Sequence, residues 1–190
     1  MEQVFCCRNQ YLSSMEINLE TLQYPIGRFS MPASVSSAQI KEAIQKITFL
    51  PTRFVEVVRH MSKEQLDTPY RPEGWTIRQV VHHVPDSHMN AYVRFKLALT
   101  EAGPVIKPYE EAAWANLPDS SMGPEVSLML LGAIHTRWVV IMEAMTDADW
   151  QRTFIHPQYN RTQTLAQSVM LYAWHGEHHL AHILRLKERL

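Results

Sequence analysis

The histidines of this chain are concentrated in two short segments, and their spacing suits metal binding. Seven of the ten histidines lie within residues 82–88 and 175–182. His175 and His179 are four residues apart, so on a helix they share one face, with Cβ atoms ~5–6 Å apart. Two such imidazoles can bind one divalent ion at the ~2.0–2.1 Å of a zinc–nitrogen bond. His83 offers a third nitrogen, because the segment VVHH lies among apolar, inward-facing positions.

The segment that carries His175 and His179 has an inward seam in which apolar residues give way to imidazole. The seam follows steps of three and four residues: Leu165, Ser168, Tyr172, His175, His179, His182 and Leu186. Burying several imidazoles costs free energy unless each is hydrogen-bonded or ligated. We therefore predict that His83, His175 and His179 bind one divalent metal ion, with Tyr172 and His182 beside them.

A rival pair with the same spacing lies on the same segment. His178 and His182 are also four residues apart, but their stripe includes Trp174, Ala181 and Arg185 and is typical of a flank. A solvated helix face can also carry two histidines at this spacing. We prefer the pair His175 and His179, because only this pair lies at the centre of the apolar seam.

Further polar residues could assist the ligands. Asp86 and Asn90 share the helix face of His83 and could orient a ligand ring or a substrate, although a solvated polar strip explains them equally simply. His135 could line the cavity, but a hydrogen-bonded core histidine is the simpler interpretation. No partner pattern marks three further histidines, which we assign to surface or structural positions: His60, His88 and His156.

The final segment does not match the helix of zinc peptidases. That motif places glutamate, the general base, directly after the first histidine. Here Gly176 follows His175, and Glu177 comes one step later, rotated away from the pair. The sequence therefore disfavours a peptidase.

Four long segments with a helical period must position these histidines. They are separated by connectors rich in Pro, Gly, Asp and Asn, which predicts an all-α, four-helix bundle with long crossover connections. Pro51 should kink or divide the first helix, and Pro85 should remove the hydrogen bond to the Val81 carbonyl within the second. The connector 101–124 could form a short turn at YEEAAW, and residues 158–161 resemble a hairpin tip. The predicted helices cover residues 37–61, 76–100, 125–145 and 164–189.

Length and charge limit the other functions that the chain could have. The 190 residues suit one domain, predicted over 23–190, with residues 1–22 as a disordered tail or a start-site extension. A net charge of −1 with mixed signs predicts no nucleic acid and no membrane partner. Cys6 and Cys7 are adjacent and provide no useful disulfide, which suits a reducing compartment. We therefore expect a soluble, cytoplasmic protein. Because the charge predicts no nucleic acid or membrane partner, we expect it to act on a small molecule.

Several stretches resemble the DinB-like superfamily, in particular its YfiT type of metal-dependent hydrolases and bacillithiol S-transferases. They run from Tyr24 to the C-terminus: YPIGRF, LDTPYRPEGWTIRQVVHH, DSHMNAYVRFKLALTE, KPYEEAAW and YAWHGEHHLAHI. The resemblance implies an unusual four-helix bundle, often a homodimer, that binds Zn²⁺ or Ni²⁺. It also places the three metal ligands at His83, His175 and His179. The sequence departs from the type at Val84 and Pro85, where Leu-Ala is more usual.

Three reactions or roles stay open. Three histidines leave a coordination position free, which is the pattern of catalytic zinc. One hypothesis is hydrolysis by a metal-bound water, and a second is transfer of a low-molecular-weight thiol, which a metal deprotonates without a protein base. A third is a non-catalytic metal-binding or stress-response protein, which would have a fourth protein ligand or a closed site.

Overall fold

The computed structural model describes residues 19–190 and confirms the predicted all-α bundle. Four long helices carry the core. The rest of the described chain contains four short α-helices, two 3-10 turns and one small antiparallel sheet. In chain order the elements are α1 (Leu19–Gln23), α2 (Ser37–Val58), α3 (Lys63–Leu66), α4 (Ile77–Thr100), α5 (Glu111–Trp114), α6 (Pro124–Ala144), α7 (Asp147–Trp150), β1 (Thr153–His156), β2 (Arg161–Thr164) and α8 (Leu165–Lys187).

The long helices begin where the sequence supplies reciprocal N-terminal caps. Ser36, Thr76 and Thr164 each accept a hydrogen bond from the backbone N–H of a glutamine three residues later, and that glutamine side chain accepts from the cap backbone. This capping box satisfies two N–H groups that a helix start leaves free. Helix α6 begins instead with a proline at its first position.

Two apolar clusters form the core, and a belt of histidines separates them. Helix α2 packs against α6 and α8, and α4 packs against the same two helices. One cluster contains Ile47, Phe95 and Trp138, and the other contains Leu50 and Leu180. Each of the four helices passes from one cluster to the other at the same level. At that level α4, α6 and α8 carry histidines instead of apolar residues: His83, His88, His135, His175 and His179.

The prolines inside the helices do not divide them. We expect from the sequence that Pro51 kinks or divides the first helix. The helix is not divided, because α2 runs without interruption from Ser37 to Val58. Helix α4 likewise continues through Pro85. A proline costs one backbone hydrogen bond, and the buried apolar faces of both helices compensate for it.

The connectors contain the two irregular features expected from the sequence. The short helix α5 lies within YEEAAW, and β1 pairs with β2 as a hairpin in which Asn160 adopts a left-handed conformation with φ of 43°. Residues 1–18 of the expected tail lie outside the described residues, and its expected end at residue 22 falls within α1. Of the described helices, α6 alone has the length and apolar composition to cross a membrane, a test that core helices of soluble proteins also pass.

Candidate metal centre

Three histidine nitrogens from two helices converge between the apolar clusters. His83 on α4 and His175 and His179 on α8 each offer one nitrogen, and the three nitrogens lie within 4.8 Å of one another. His83 Nε2 lies 3.2 Å from His175 Nε2. Two ligands of a tetrahedral zinc ion are separated by roughly 3.3 Å, given bonds of about 2.0–2.1 Å. The spacing of these nitrogens therefore fits a small divalent cation.

The three imidazoles are held in the neutral form that binds metal. Burial lowers the pKa of His83 to about 4. Burial, together with the charges of neighbouring histidines, lowers the pKa of His175 and His179 well below the ordinary value. His179 Nδ1 is buried and has no hydrogen-bond partner among the described residues. The same holds for His178 Nδ1 and His182 Nδ1, so this feature alone does not single out His179.

A chain of hydrogen bonds fixes which nitrogen of His175 carries the proton. His135 Nδ1 lies 2.6 Å from the Ile47 carbonyl oxygen, which can only accept, so Nδ1 must be the donor. The neutral His135 then accepts at Nε2 from His88 Nδ1, at 2.9 Å. His88 in turn accepts at Nε2 from His175 Nδ1, at 3.2 Å. The proton of His175 therefore lies on Nδ1, and its Nε2 lone pair points towards His83.

Pro51 makes the first acceptor of this chain available. In a regular helix the carbonyl of Ile47 would accept from the N–H of residue 51. Proline has no N–H, so this carbonyl is free inside the bundle, and His135 donates to it instead. The proline within α2 thus anchors the histidine chain that ends at His175.

A cavity of about 530 Å³ adjoins the three histidines. Trp75 forms one wall, with its ring centroid 4.6 Å from that of His83 and 6.4 Å from that of His179. Tyr172 also lines the cavity, with its ring centroid 5.9 Å from that of His175. Among the described residues that line the cavity, Glu111 is the one carboxylate, whereas Arg94 and Arg161 are positively charged. Because the cavity adjoins the three histidines, a small molecule in it can reach them from this side.

Comparison with known proteins assigns this arrangement to a family. The model of the DinB superfamily matches residues 46–183. The chain belongs to the DinB superfamily. A candidate metal-dependent hydrolase of Bacillus mycoides (strain KBAB4) is 50% identical over 172 residues, which cover 90% of this chain and 99% of that protein. A protein of the same name from Bacillus cereus (strain B4264) is 49% identical over the same length.

Solved structures show the same bundle. YfiT from Bacillus subtilis, described as a probable metal-dependent hydrolase with an unusual four-helix bundle topology, is 46% identical with a TM-score of 0.87. The match covers 89% of this chain and 97% of YfiT. A mycothiol-dependent maleylpyruvate isomerase is 16% identical with a TM-score of 0.55, over 73% of this chain and 60% of the isomerase, and it shares the fold alone.

In this DinB-superfamily protein, the two weaker candidates on α4 lie away from the three histidines. Neither Asp86 nor Asn90 lines the cavity. Asn90 donates its side-chain amide to the Asp86 backbone carbonyl at 2.9 Å. Burial, and then the charge of Asp119, raise the pKa of Asp86 to about 6. The structure therefore gives these two residues no contact with the proposed ligands.

The rival pair on α8 has other partners. His178 stacks on Trp174 and lines the cavity, so it is buried and does not lie on an exposed flank. His182 lies beside the candidate ligand His179 as expected, with ring centroids 5.5 Å apart. It also donates from Nε2 to the Gln23 backbone carbonyl at 3.1 Å and stacks on Tyr70. It therefore ties α8 to α1 and to the loop after α3.

His88 and Trp75 are residues of the site that the sequence interpretation missed. His88 was assigned to a surface or structural position, yet it is fully buried and bonds both His135 and His175. It lies on the same inward seam as the apolar residues of α4, at steps of three and four: Val81, Val84, His88, Ala91 and Phe95. This signal was available in the sequence. Trp75, in the loop before α4, had no periodic signal.

The other two unassigned histidines differ from each other. His60 is exposed, whereas His156 is half-buried, lines the cavity and contacts the Tyr159 ring. His135 does not line the cavity and is a hydrogen-bonded core histidine. The ten histidines of the chain therefore divide into three candidate ligands, a supporting chain behind them and separate structural or surface positions.

Proposed function

We propose that this protein is a metal-dependent hydrolase in which His83, His175 and His179 bind one divalent ion per chain, Zn²⁺ or Ni²⁺. The observation that carries the proposal is the meeting of three neutral histidine nitrogens within 4.8 Å at the wall of a cavity. The names of relatives about 50% identical to this chain support the same activity. The substrate is then a small molecule that enters the cavity.

The chain's own residues suit this chemistry. A divalent ion held by three histidines acts as a Lewis acid, lowering the pKa of water that it binds to ~7 and deprotonating a bound thiol outright. His88 and His135 hold the His175 ring in one orientation, and Trp75 shields the ligands from bulk water. Partial burial of the Glu111 carboxyl group raises its pKa, so it is suited to hold or release a proton at the cavity wall.

Transfer of a low-molecular-weight thiol is the second candidate function. The observation that favours it is the absence of a carboxylate from the group formed by His83, His175 and His179 in the described residues. A thiol activated by a metal needs no protein base, whereas most hydrolases use one. The cavity beside the three histidines argues against a third candidate, a closed non-catalytic metal site.

Alanine variants test the metal site directly. His83→Ala and His175→Ala should each abolish stoichiometric binding of Zn²⁺ or Ni²⁺, measured by calorimetry and metal analysis. His178→Ala is the matched control, because His178 lines the same cavity but belongs to the other stripe of α8. If the His178 variant lost the metal while the His175 variant kept it, the proposed ligand set would be wrong.

A cobalt-substituted protein separates hydrolysis from thiol transfer. A thiol that binds the metal produces a sulfur-to-Co²⁺ charge-transfer band, and its transfer to an electrophile such as a haloalkane can then be followed. Hydrolysis is assayed in parallel on carboxylic and phosphoric esters. Ester turnover that depends on His175, without any charge-transfer band, supports the hydrolase, and the reverse pattern supports the transferase.

We also propose that the protein is a homodimer and that α6 forms its interface. Helix α6 is apolar on both sides, because its outer face exposes a stripe of large apolar residues: Val126, Met129, Leu130 and Val140. Such stripes are usually covered by a partner. Sedimentation should give twice the chain mass of 22.1 kDa. Val140→Lys should give a monomer, and Val105→Lys, at an equally exposed valine (64%), should not.

The cytoplasmic location expected from the sequence stays a prediction.

A further inference from the structure

We propose that the part of the cavity around Arg94, away from the three histidines along α4, binds a carboxylate of the substrate. This inference rests on the proposed function, because it places the reacting group at the metal and an anionic group of the same molecule at Arg94. It adds a substrate class, namely small molecules with a carboxylate some distance from the reactive centre.

Arg94 is a buried cation with spare hydrogen-bond donors. Its side chain lines the cavity, and the residue is only 9% exposed. It donates from Nη1 to the Tyr172 hydroxyl at 3.0 Å, a neutral partner. In the described part of the chain, the arginines within 4.0 Å of a carboxylate are Arg28, Arg53, Arg78 and Arg185. A buried guanidinium is normally paired directly with an anion. The charge of Glu111 interacts with Arg94, but no carboxylate of the described residues lies within 4.0 Å of its guanidinium.

A structural arginine elsewhere in the same protein shows what is missing at Arg94. Arg152 donates from Nε to the Ala98 carbonyl at 2.6 Å and from Nη2 to the Glu101 carbonyl at 3.1 Å. Both bonds tie the hairpin to the end of α4. Among the described residues Arg94 has no such pair of carbonyl acceptors, and its one bond there leaves most of its five N–H groups available. A purely structural role therefore explains Arg94 less well than it explains Arg152.

Further unpartnered polar atoms line the same cavity. Gln163 Nε2 and Ser168 Oγ are buried and have no hydrogen-bond partner among the described residues. Both residues line the cavity, and both atoms can donate. Buried donors without acceptors cost free energy, and a polar ligand in this cavity would supply acceptors. Their presence is independent evidence, since it concerns β2 and α8 rather than α4.

The helices set the separation between the two ends of the site. His83 and Arg94 lie on one face of α4, eleven residues apart, which corresponds to about 16 Å between their backbones. The long arginine side chain can lean back towards the helix N-terminus and shorten this span. On α8, Tyr172 contacts both the His175 ring and Arg94. A ligand that bridges both ends must therefore be extended, with its carboxylate several bonds from the reacting atom.

The charges around the cavity favour a carboxylate over a dianionic phosphate. Arg94 and Arg161 contribute two positive charges, and Glu111 contributes one negative charge. Glu111 is close enough to Arg94 for their charges to interact. A second negative charge on the ligand would meet this glutamate, whereas a planar carboxylate matches the fork of a guanidinium with two parallel hydrogen bonds.

Matched thiols of increasing length test the proposal in the Co²⁺-substituted protein. The probes are ω-mercaptoalkanoates with three to eight carbons and ω-mercaptoalkanols of the same lengths, titrated through the charge-transfer band. At the best length the carboxylate should bind about 10- to 100-fold more tightly than its alcohol. Arg94→Gln should remove this preference and leave the alcohol affinity unchanged, and Arg94→Lys should restore part of it. Arg59→Gln, at an exposed arginine that does not line the cavity, is the control and should keep the preference.

The outcomes distinguish failure of this subsite from failure of the proposed metal centre. Equal binding of acid and alcohol at every length, or a preference that persists in Arg94→Gln, would overturn the proposal while leaving the metal site intact. If neither series produces a charge-transfer band, ligand binding at the subsite is measured in the metal-free protein. Hexanoate and hexan-1-ol are then compared through the fluorescence of Trp75 and Trp174, which line the cavity. A preference for hexanoate that Arg94→Gln removes supports the subsite, and no preference rejects it.

Discussion

His175 depends on its neighbours more than the other two candidate ligands do. Its Nε2 lone pair is directed towards the site only because Nδ1 donates to His88, which is held in turn by His135 and the Ile47 carbonyl. Partners of this kind fix both the tautomer and the orientation of a ligand ring. The three residues of the supporting chain therefore belong to the site although none of them offers a nitrogen to the ion.

Replacing His88 should weaken metal binding without removing any ligand. His88→Phe keeps a ring of similar size but leaves His175 Nδ1 without its acceptor. We expect the affinity for Zn²⁺ to fall about 10- to 100-fold, measured by competition with a chromophoric chelator. His82→Phe is the control, because His82 is a buried histidine of the same helix that bonds Ser127 and the Met122 carbonyl instead. An equal loss of affinity in both variants would show a general effect on folding.

At the residue scale, a site residue can be predicted from the sequence where a polar side chain occupies a position that the helical period marks as apolar. A histidine on an apolar seam is visible without a structure, and this holds for His83, His175 and His179 and would have held for His88. Arg94 was not found, because an arginine at the edge of a seam normally reaches solvent. Trp75 was not found either, since its position depends on how a loop folds back over α4.

At the scale of elements, the backbone hydrogen bond that α2 lacks at Pro51 leaves an acceptor that another helix uses. Pro51 removes one hydrogen bond from the helix, and the carbonyl that it frees accepts from His135 on α6. The sequence indicated that this helix would be irregular at Pro51. It did not indicate the partner of the free carbonyl, because that partner lies 88 residues away in the chain.

Pro51→Ala should separate helix stability from metal affinity. Alanine restores an N–H that competes with His135 for the Ile47 carbonyl, and it is intrinsically better in a helix by about 3 kcal/mol. We expect urea unfolding to show equal or greater stability, whereas the affinity for Zn²⁺ falls about tenfold. In a protein that already carries His135→Phe, the same proline substitution should have no further effect on affinity. Full additivity of the two changes would contradict the proposed coupling.

The contact between α2 and α8 depends on a glycine beside the site. A Cβ atom at Gly176 would lie 2.3 Å from Leu50 Cδ2, and Leu50 is only 2% exposed, so it has little room to move. Gly176→Ala should therefore lower the free energy of unfolding by about 1–3 kcal/mol, although alanine favours helix. Gly132→Ala in α6, where nothing lies within 4 Å, should instead raise it by about 0.5–1 kcal/mol. Urea unfolding measures the free energy of unfolding of both variants. If both were more stable than the original protein, the prediction would be wrong and α2 would be able to move away from α8.

At the scale of the whole molecule, the bundle has a polar layer between two apolar cores. Hydrophobic periodicity predicted the four helices, since both cores repeat at three and four residues along each helix. It did not predict that the histidines of three helices lie at one level. That alignment depends on how far each helix is shifted along its neighbours, which long connectors leave undetermined.

The same layer makes the stability of the metal-free protein depend on pH. Burial lowers the pKa of His83 and His135 to about 4 and that of His182 to about 3. Burial also lowers the pKa of His88 well below its ordinary value. Above pH ~6.5 these histidines are neutral in both the folded and the unfolded chain. Below that pH the unfolded chain binds protons that the folded chain cannot, so stability falls as the pH drops towards 4.

Urea unfolding of chelator-treated protein at several pH values tests this dependence. Between pH 7.5 and 5.5 we expect a loss of about 3–5 kcal/mol, because each buried histidine contributes up to ~1.4 kcal/mol per pH unit. Asp86 opposes the trend, since its pKa of about 6 makes the folded state more stable as the carboxyl group gains a proton. His135→Phe should reduce the slope and His60→Gln, at an exposed histidine, should not. A stability that stays constant over this range would mean that the histidine layer is hydrated in solution.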